Sequence, residues 1–310
     1  PNPKPQPLYN YIYFYKFIIL IMSILKYDVD AVTWNPQGKL QQIDYAKEAV
    51  KQGSICLAIK SKTEAVMVTV KKNPSKLACY QEKLFKISDN IGIGISGMTA
   101  DARILCKFMR ITNGNHQLKF NSNISIDSLV KKVSKIFHDK TYIYGKRPFG
   151  LGILAVGYNN ENEPKIYELD PAGECIEYQC YSIGAKNQTS KTFMETNLNY
   201  FKNASLNNLI LFGISAIKAG YRDEKEELSE NNLEVAVLTK DKGYKILSKE
   251  ELAHYLQELP NFRPENQMLK EKKNINQNPP FNLFYFKNIK INILFQGVGV
   301  WGLGFGVWGL

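Results

Sequence analysis

The sequence predicts an α+β fold, an antiparallel sandwich whose helices come in pairs on the outer faces of two stacked sheets. Three observations predict it. Strand-like runs come in hairpin-linked pairs, as in SICLAIK (54–60) and EAVMVTVKK (64–72). Helical stretches come two at a time, so the order does not alternate as a βαβ sheet requires. The chain of 310 residues, 44% hydrophobic and 22% charged, has ordinary globular composition and enough length to bury a sizeable core.

The elements follow in order. Asn35-Pro36-Gln37-Gly38 is a turn or helix-start signal. Leu40, Ile43, Ala46, Ala49 and Val50 then recur at helical spacing, which predicts an amphipathic helix over 38–52 closed by Gly53 near its C-cap. The first hairpin follows. KLFKIS (83–88) and NIGIGISG (90–97) form a second one. Thr99-Ala100-Asp101 reads as an N-cap with a first-turn acid, opening a helix through ARILCKFMR. Leu129, Val130, Val133, Ile136 and Phe137 form the stripe of a second helix over 127–139. Three strands are expected at 149–158, 164–170 and 174–184, then helices at about 186–201 and 205–219. LEVAVLT (233–239), a turn at Asp241-Lys242-Gly243, YKIL and the short helix KEELAHYLQEL complete the pattern.

The two ends differ from the middle in texture. Residues 1–26 carry +3 and residues 261–310 carry +4 of the net +11, which leaves +4 on residues 27–260. Three regions are therefore expected: an N-terminal extension outside the fold (1–26), one domain (27–260), and a C-terminal tail (261–310) whose GVWGL repeat is low-complexity. A membrane span over 8–25 is disfavoured, because Lys16 falls mid-segment, where a base costs about 2.5–3.5 kcal/mol. Met22 is a plausible true start.

Several function classes are excluded or weakened. Five sparse cysteines make no disulfide framework and suit a reducing compartment. Three scattered histidines spell no metal site, and no cofactor motif stands out. Gly92-Ile93-Gly94-Ile95-Ser96-Gly97 matches GxGxxG, but the isoleucines alternate among the glycines. These glycines lie inside a strand and let another layer pack closely; they do not cradle a dinucleotide. The middle has no basic helix or RNP-like aromatic pair, so nucleic acid is not an expected partner.

The order of motifs resembles that of 20S proteasome α-type subunits over residues 27–260. The resemblance rests on Tyr27-Asp28, Trp34-Asn35-Pro36-Gln37-Gly38, Gln42-Ile43-Asp44-Tyr45-Ala46, and Glu48-Ala49-Val50 with Gly53-Ser54. It rests further on Ser96-Gly97-Met98-Thr99-Ala100-Asp101-Ala102-Arg103, Arg147-Pro148-Phe149-Gly150 and Asp170-Pro171-Ala172-Gly173.

The resemblance implies a four-layer αββα sandwich of the Ntn-hydrolase type. It also implies a non-catalytic role in the outer ring of a protease complex in the cytoplasm and nucleus. The residues support that side of the family. A catalytic member uses an N-terminal threonine whose own amine activates its hydroxyl. That position falls at Ser54, behind the helix at 38–52, and the partner acid falls at about Val70 in a strand without a carboxylate. Lys83 alone of the constellation persists.

By position, the gate of the family's axial pore corresponds to Tyr27, Asp28, Pro36 and Tyr45, with Val29 where an arginine is usual. Lys83, Leu40 and Gly53 correspond to the pocket that receives activator C-termini, although Lys83 also fits a solvated strand-start lysine. Implied partners are neighbouring α subunits, β-ring subunits and the C-termini of a regulatory particle or other activators. The competing reading is a stand-alone Ntn-type hydrolase with an unprocessed leader.

Overall fold

The computed structural model describes residues 14–18, 30–73, 77–79, 81–159, 161–221 and 228–262. The sandwich lies within the compact unit Pro1–Pro264. Most of the N-terminal extension and the C-terminal tail lie outside the described residues.

Ten strands form two five-stranded sheets among the described residues. The first has the order β10-β9-β2-β1-β8, built from β1 (Cys56–Lys60), β2 (Ala65–Val70), β8 (Cys180–Ile183), β9 (Leu233–Thr239) and β10 (Gly243–Ile246). The second has the order β3-β4-β5-β6-β7, built from β3 (Leu84–Ser88), β4 (Ile91–Gly97), β5 (Leu151–Tyr158), β6 (Pro164–Leu169) and β7 (Cys175–Tyr178). Every pairing is antiparallel.

Side-chain alternation decides what each face meets. In β4 and β5, Ile91, Ile93, Ile95, Leu151, Ile153 and Ala155 face outward onto α2 (Thr99–Phe120) and α3 (Ile126–Tyr142). The opposite face carries Leu154 and Val156, which meet Cys56, Ala58, Met67, Ala236 and Leu238 of the first sheet. Leu57, Ile59 and Val68 face the other way, onto α6 (Leu206–Tyr221), where a Cβ on Gly213 would stand 2.8 Å from Val68 Cγ2. α4 (Asn187–Thr196) lies beside α6. The layers are therefore helices, sheet, sheet, helices, as expected.

The glycines of β4 behave as expected too. A Cβ on Gly92 would run into the Tyr244 ring, and one on Gly94 would run into Cys56 Sγ. Both positions admit the facing sheet because they lack a side chain.

Several boundaries are corrected. The Asn35–Gly38 stretch is a turn, with Gly38 N–H donating to Asn35 O at 2.9 Å and Gly38 at φ +75°. The helix after it, α1, is Gln41–Gln52. Its closing Gly53 has φ −66°, so no left-handed cap forms; a Cβ there would collide with Gly97 N and Ser96 Oγ. α2 runs to Phe120, well past the expected end, and stops where Asn121 turns left-handed at φ 50°. Thr99 is not its N-cap: Met98 holds that position, with no side-chain cap bond.

The single strand expected at 174–184 is two strands in different sheets. β7 pairs with β6 and β8 pairs with β1, and the chain crosses between the layers at Gln179, whose carbonyl accepts from Lys60 N–H at 3.1 Å. The helix expected at 186–201 breaks after Thr196 into α4 and the short α5 (Leu198–Phe201). Asn197 Nδ2 donates to Phe193 O at 2.8 Å there, a side chain competing with the helical backbone. The last α-helix among the described residues, α7 (Lys249–Glu258), is opened by a capping box between Ser248 and Glu251.

Candidate functional site

α1 lies against β4 and β5 of the second sheet, at the end of the sandwich where β1 begins and β4 ends. Three contacts hold it. Ser96, fully buried, donates from Oγ to Val50 O at 2.9 Å and Ser54 O at 3.1 Å. Ala185 N–H donates to Gly53 O at 2.8 Å. Lys47 Nζ stands 2.8 Å from Asp170 Oδ2, and Asp170 Oδ1 also accepts from the backbone N–H of Ala172 and Glu174 in the Asp-Pro-Ala-Gly turn.

The SGMTADAR and RPFG motifs meet in the same way. Asp101 takes two 2.8 Å hydrogen bonds from the Arg147 guanidinium and one of 3.1 Å from Gly150 N–H. The guanidinium holds the Asp101 carboxyl below the usual carboxylate range, against the opposing effect of burial.

Lys83 precedes β3 at this same end. It is 6% exposed, so it is not a solvated strand-start lysine. Its Nζ donates to Thr99 Oγ1 at 3.4 Å, and its carbonyl accepts from Ile95 N–H at 3.1 Å. Burial pushes its amine down, opposed by the neighbouring Cys56. The Cys56 thiol is pushed by burial up to about 12, so at neutral pH it holds its proton and is no nucleophile.

A carboxylate does stand near Lys83, but it comes from an element that sequence reasoning did not connect to it. Glu234 of β9 reaches across the gap between the sheets, and its Oε2 accepts from Lys83 N–H and Leu84 N–H at 3.2 Å each. Lys71 Nζ lies 3.8 Å from its Oε1. Burial pushes the Glu234 carboxyl up, opposed by Lys71 and by the two backbone donors. An acid within the apolar run LEVAVLT was the available signal, since a buried carboxylate needs partners.

The positions where a catalytic member's nucleophile and acid would fall hold a serine and a valine. Ser54 is buried, its nitrogen is an amide within the chain behind α1, and Val70 is a buried apolar residue closing β2. Lys83 thus keeps the constellation's amine without its nucleophile or its second-strand acid.

The carried-over site residues are scattered. Tyr27 and Asp28 lie outside the described residues. Pro36 is exposed in the Asn35–Gly38 turn, and Tyr45 is half exposed on α1. Gly53 adjoins Gly97, two residues before the Thr99 that Lys83 touches. Leu40 is at the opposite end of α1, about 20 Å away along the helix axis. A pocket lined by both Leu40 and Gly53 must run the length of α1 or draw them from two adjacent chains.

A separate cavity of about 330 Å³ opens between α1, the β6–β7 edge and α4. Its walls include Lys47, Glu168, Asp170, Tyr178, Tyr181 and Lys191, and neither Lys83 nor Leu40 lines it. The Tyr178 and Tyr181 rings stack at 4.0 Å across the crossover between sheets, with Lys191 Nζ 3.8 Å over Tyr181. Among the described residues no group of three His, Cys, Asp or Glu is placed to hold a metal ion. No helix among them is long and apolar enough to cross a membrane.

Comparison with known proteins shows the family. A family model described as proteasome subunit matches residues 50–238. The chain belongs to the proteasome subunit family. Three of its relatives are named as α-type subunits. The chain is 37% identical over 77% of its length to the proteasome subunit alpha type-1 of Dictyostelium discoideum, of which it covers 96%. It is 38% identical over 76% of its length to the probable alpha type-6 subunit of Schizosaccharomyces pombe, covering 85% of that protein. It is 35% identical over 74% of its length to the alpha type-6 subunit of Saccharomyces cerevisiae, covering 98%. The strings AVKQGS, KSKT, TADAR and SIGA carry the narrower resemblance to the α type-1 subunit, also called α6, and these relatives bear it out. The two antiparallel sheets with outer helices are the Ntn-type sandwich of this proteasome family.

Proposed function

We propose that this chain is a non-catalytic subunit of the outer α ring of the 20S proteasome, acting in ring assembly, control of substrate entry and docking of activators. It would serve ubiquitin-dependent protein degradation in the cytoplasm and nucleus. It would contact neighbouring α subunits, β-ring subunits, and the C-termini of a regulatory particle or other activators. One observation carries the reading: Lys83 stands buried beside Thr99 while the nucleophile position, Ser54, is an internal residue locked behind α1. An amine without a nucleophile cannot cleave a peptide bond, but it can meet a carboxylate. Such a contact contributes about 1.5–3 kcal/mol when partly dry.

Entry control would rest on Tyr27, Asp28, Pro36 and Tyr45, whose hydroxyl and carboxylate groups suit hydrogen bonding between neighbouring tails. Two experiments test the reading. Co-sedimentation of the chain with assembled core particles is expected; a chain that stays monomeric in cell extracts would sink the ring assignment. Lys83→Ala in assembled particles is expected to weaken activator binding, and unchanged binding would remove Lys83 from the pocket.

A further inference from the structure

We infer that Glu234 is the positioning residue for Lys83, a buried strut that ties the start of β3 to β9 and so sets where the Lys83 amine stands. The inference rests on the reading that Lys83 receives a carboxylate.

The geometry is specific. Glu234, Ala236 and Leu238 share the face of β9 that looks into the gap between the sheets, and Ala236 and Leu238 pack in the core there. The carboxylate at the first position of that face is 6% exposed. It reaches the opposite sheet, where one oxygen takes both backbone N–H groups at the entrance of β3. Those two donors belong to Lys83 itself and to Leu84, so the strut acts on the backbone that carries the amine. Lys83 and Leu84 are separated from Glu234 by about 150 residues of chain, so the carboxylate adds a long-range tie to the local β3–β4 ladder, in which Leu84 pairs with Gly94 and Lys83 O accepts from Ile95 N–H.

The other groups around the carboxylate explain why it stays. Lys71, whose backbone N–H donates to Asn232 O at 2.6 Å, offsets its charge from the end of β2. Cys56 and Tyr244 face it from the first sheet, both protonated at neutral pH, and Glu82 stands near it from the chain before β3. One buried carboxylate with two backbone donors and one cation is a satisfied set. Removing it leaves two buried N–H groups and the Lys71 amine without that acceptor, and the strand entrance gains freedom to shift. Displacement of about 1 Å at a positioned group is enough to cost a large factor in recognition.

The experiment uses assembled core particles carrying this subunit as wild type, Glu234→Gln, Glu234→Ala or Lys83→Ala. The probe is a fluorescent octapeptide with an activator's C-terminal sequence, in free-acid and C-terminally amidated forms. The readout is the ratio of the two affinities, which general loosening of the subunit would not move. Wild-type particles are expected to prefer the free acid at least fivefold, and Lys83→Ala particles to lose that preference. Glu234→Ala is expected to lose most of it as well, and Glu234→Gln, which keeps an oxygen acceptor, about half. If Glu234→Ala prevents assembly, Glu234→Gln is read alone against wild type. Wild-type preference retained in the Glu234 variants overturns the strut. A parallel loss for acid and amide overturns it too, since that reports structure and not position. Equal binding of acid and amide to wild-type particles overturns the Lys83 reading beneath it.

Discussion

Asp101 and Arg147, 46 residues apart, are joined by two parallel 2.8 Å hydrogen bonds, with the carboxylate buried and the arginine largely exposed. The pair closes the loop between α3 and β5 onto the start of α2. Gly150 N–H adds a third bond to the same carboxylate.

Asp101→Asn is therefore expected to destabilise the fold by about 2–3 kcal/mol at neutral pH, read by urea unfolding. The sign with pH follows from the lowered folded-state pKa. The contribution is complete above the unfolded carboxyl pKa of about 4 and is lost as the pH falls through the folded value. The gap between the two proteins should narrow below that point, and a constant gap down to pH 2 would contradict the ion pair.

Two glycines should respond in opposite directions. Gly92→Val would drive a side chain into the Tyr244 ring and is expected to cost about 1–3 kcal/mol or more. Gly114, inside α2, has open space where a methyl group would stand, so Gly114→Ala is expected to stabilise by about 0.5–1 kcal/mol. Thermal melting of both variants checks the pair.

Thiol reactivity should follow burial. Cys79 is exposed, whereas Cys56 and Cys106 are buried with thiols pushed up by burial to about 12 and about 11. Brief alkylation of the native protein at pH 8, read by peptide mass, should label Cys79 and spare Cys56 and Cys106. Rapid labelling of Cys56 would mean that the gap between the sheets opens.

The gate assignment makes a functional prediction. In assembled particles, Tyr27→Ala should raise basal hydrolysis of short peptides, and no change would show that this tail is not a gate element.

Much of the fold was legible because its signals are local. The alternation in AVMVTV and IGIGIS, the stripe over 127–139 and the glycines of β4 each name a face and a packing partner. The site was less legible. Lys83 stood out by motif, but Thr99 read as a cap and Glu234 as one residue of an apolar strand.

By itself, the sequence determined the layer order and the α-type motifs, because periodicity and motif spacing are properties of neighbours along the backbone. Tertiary structure alone decided three things. It passed the 174–184 stretch from one sheet to the other at Gln179, joined the first-turn acid Asp101 to Arg147, and brought Glu234 under Lys83. Each joins residues far apart in the chain, and a buried polar group finds such a partner only after the elements that carry the two have packed.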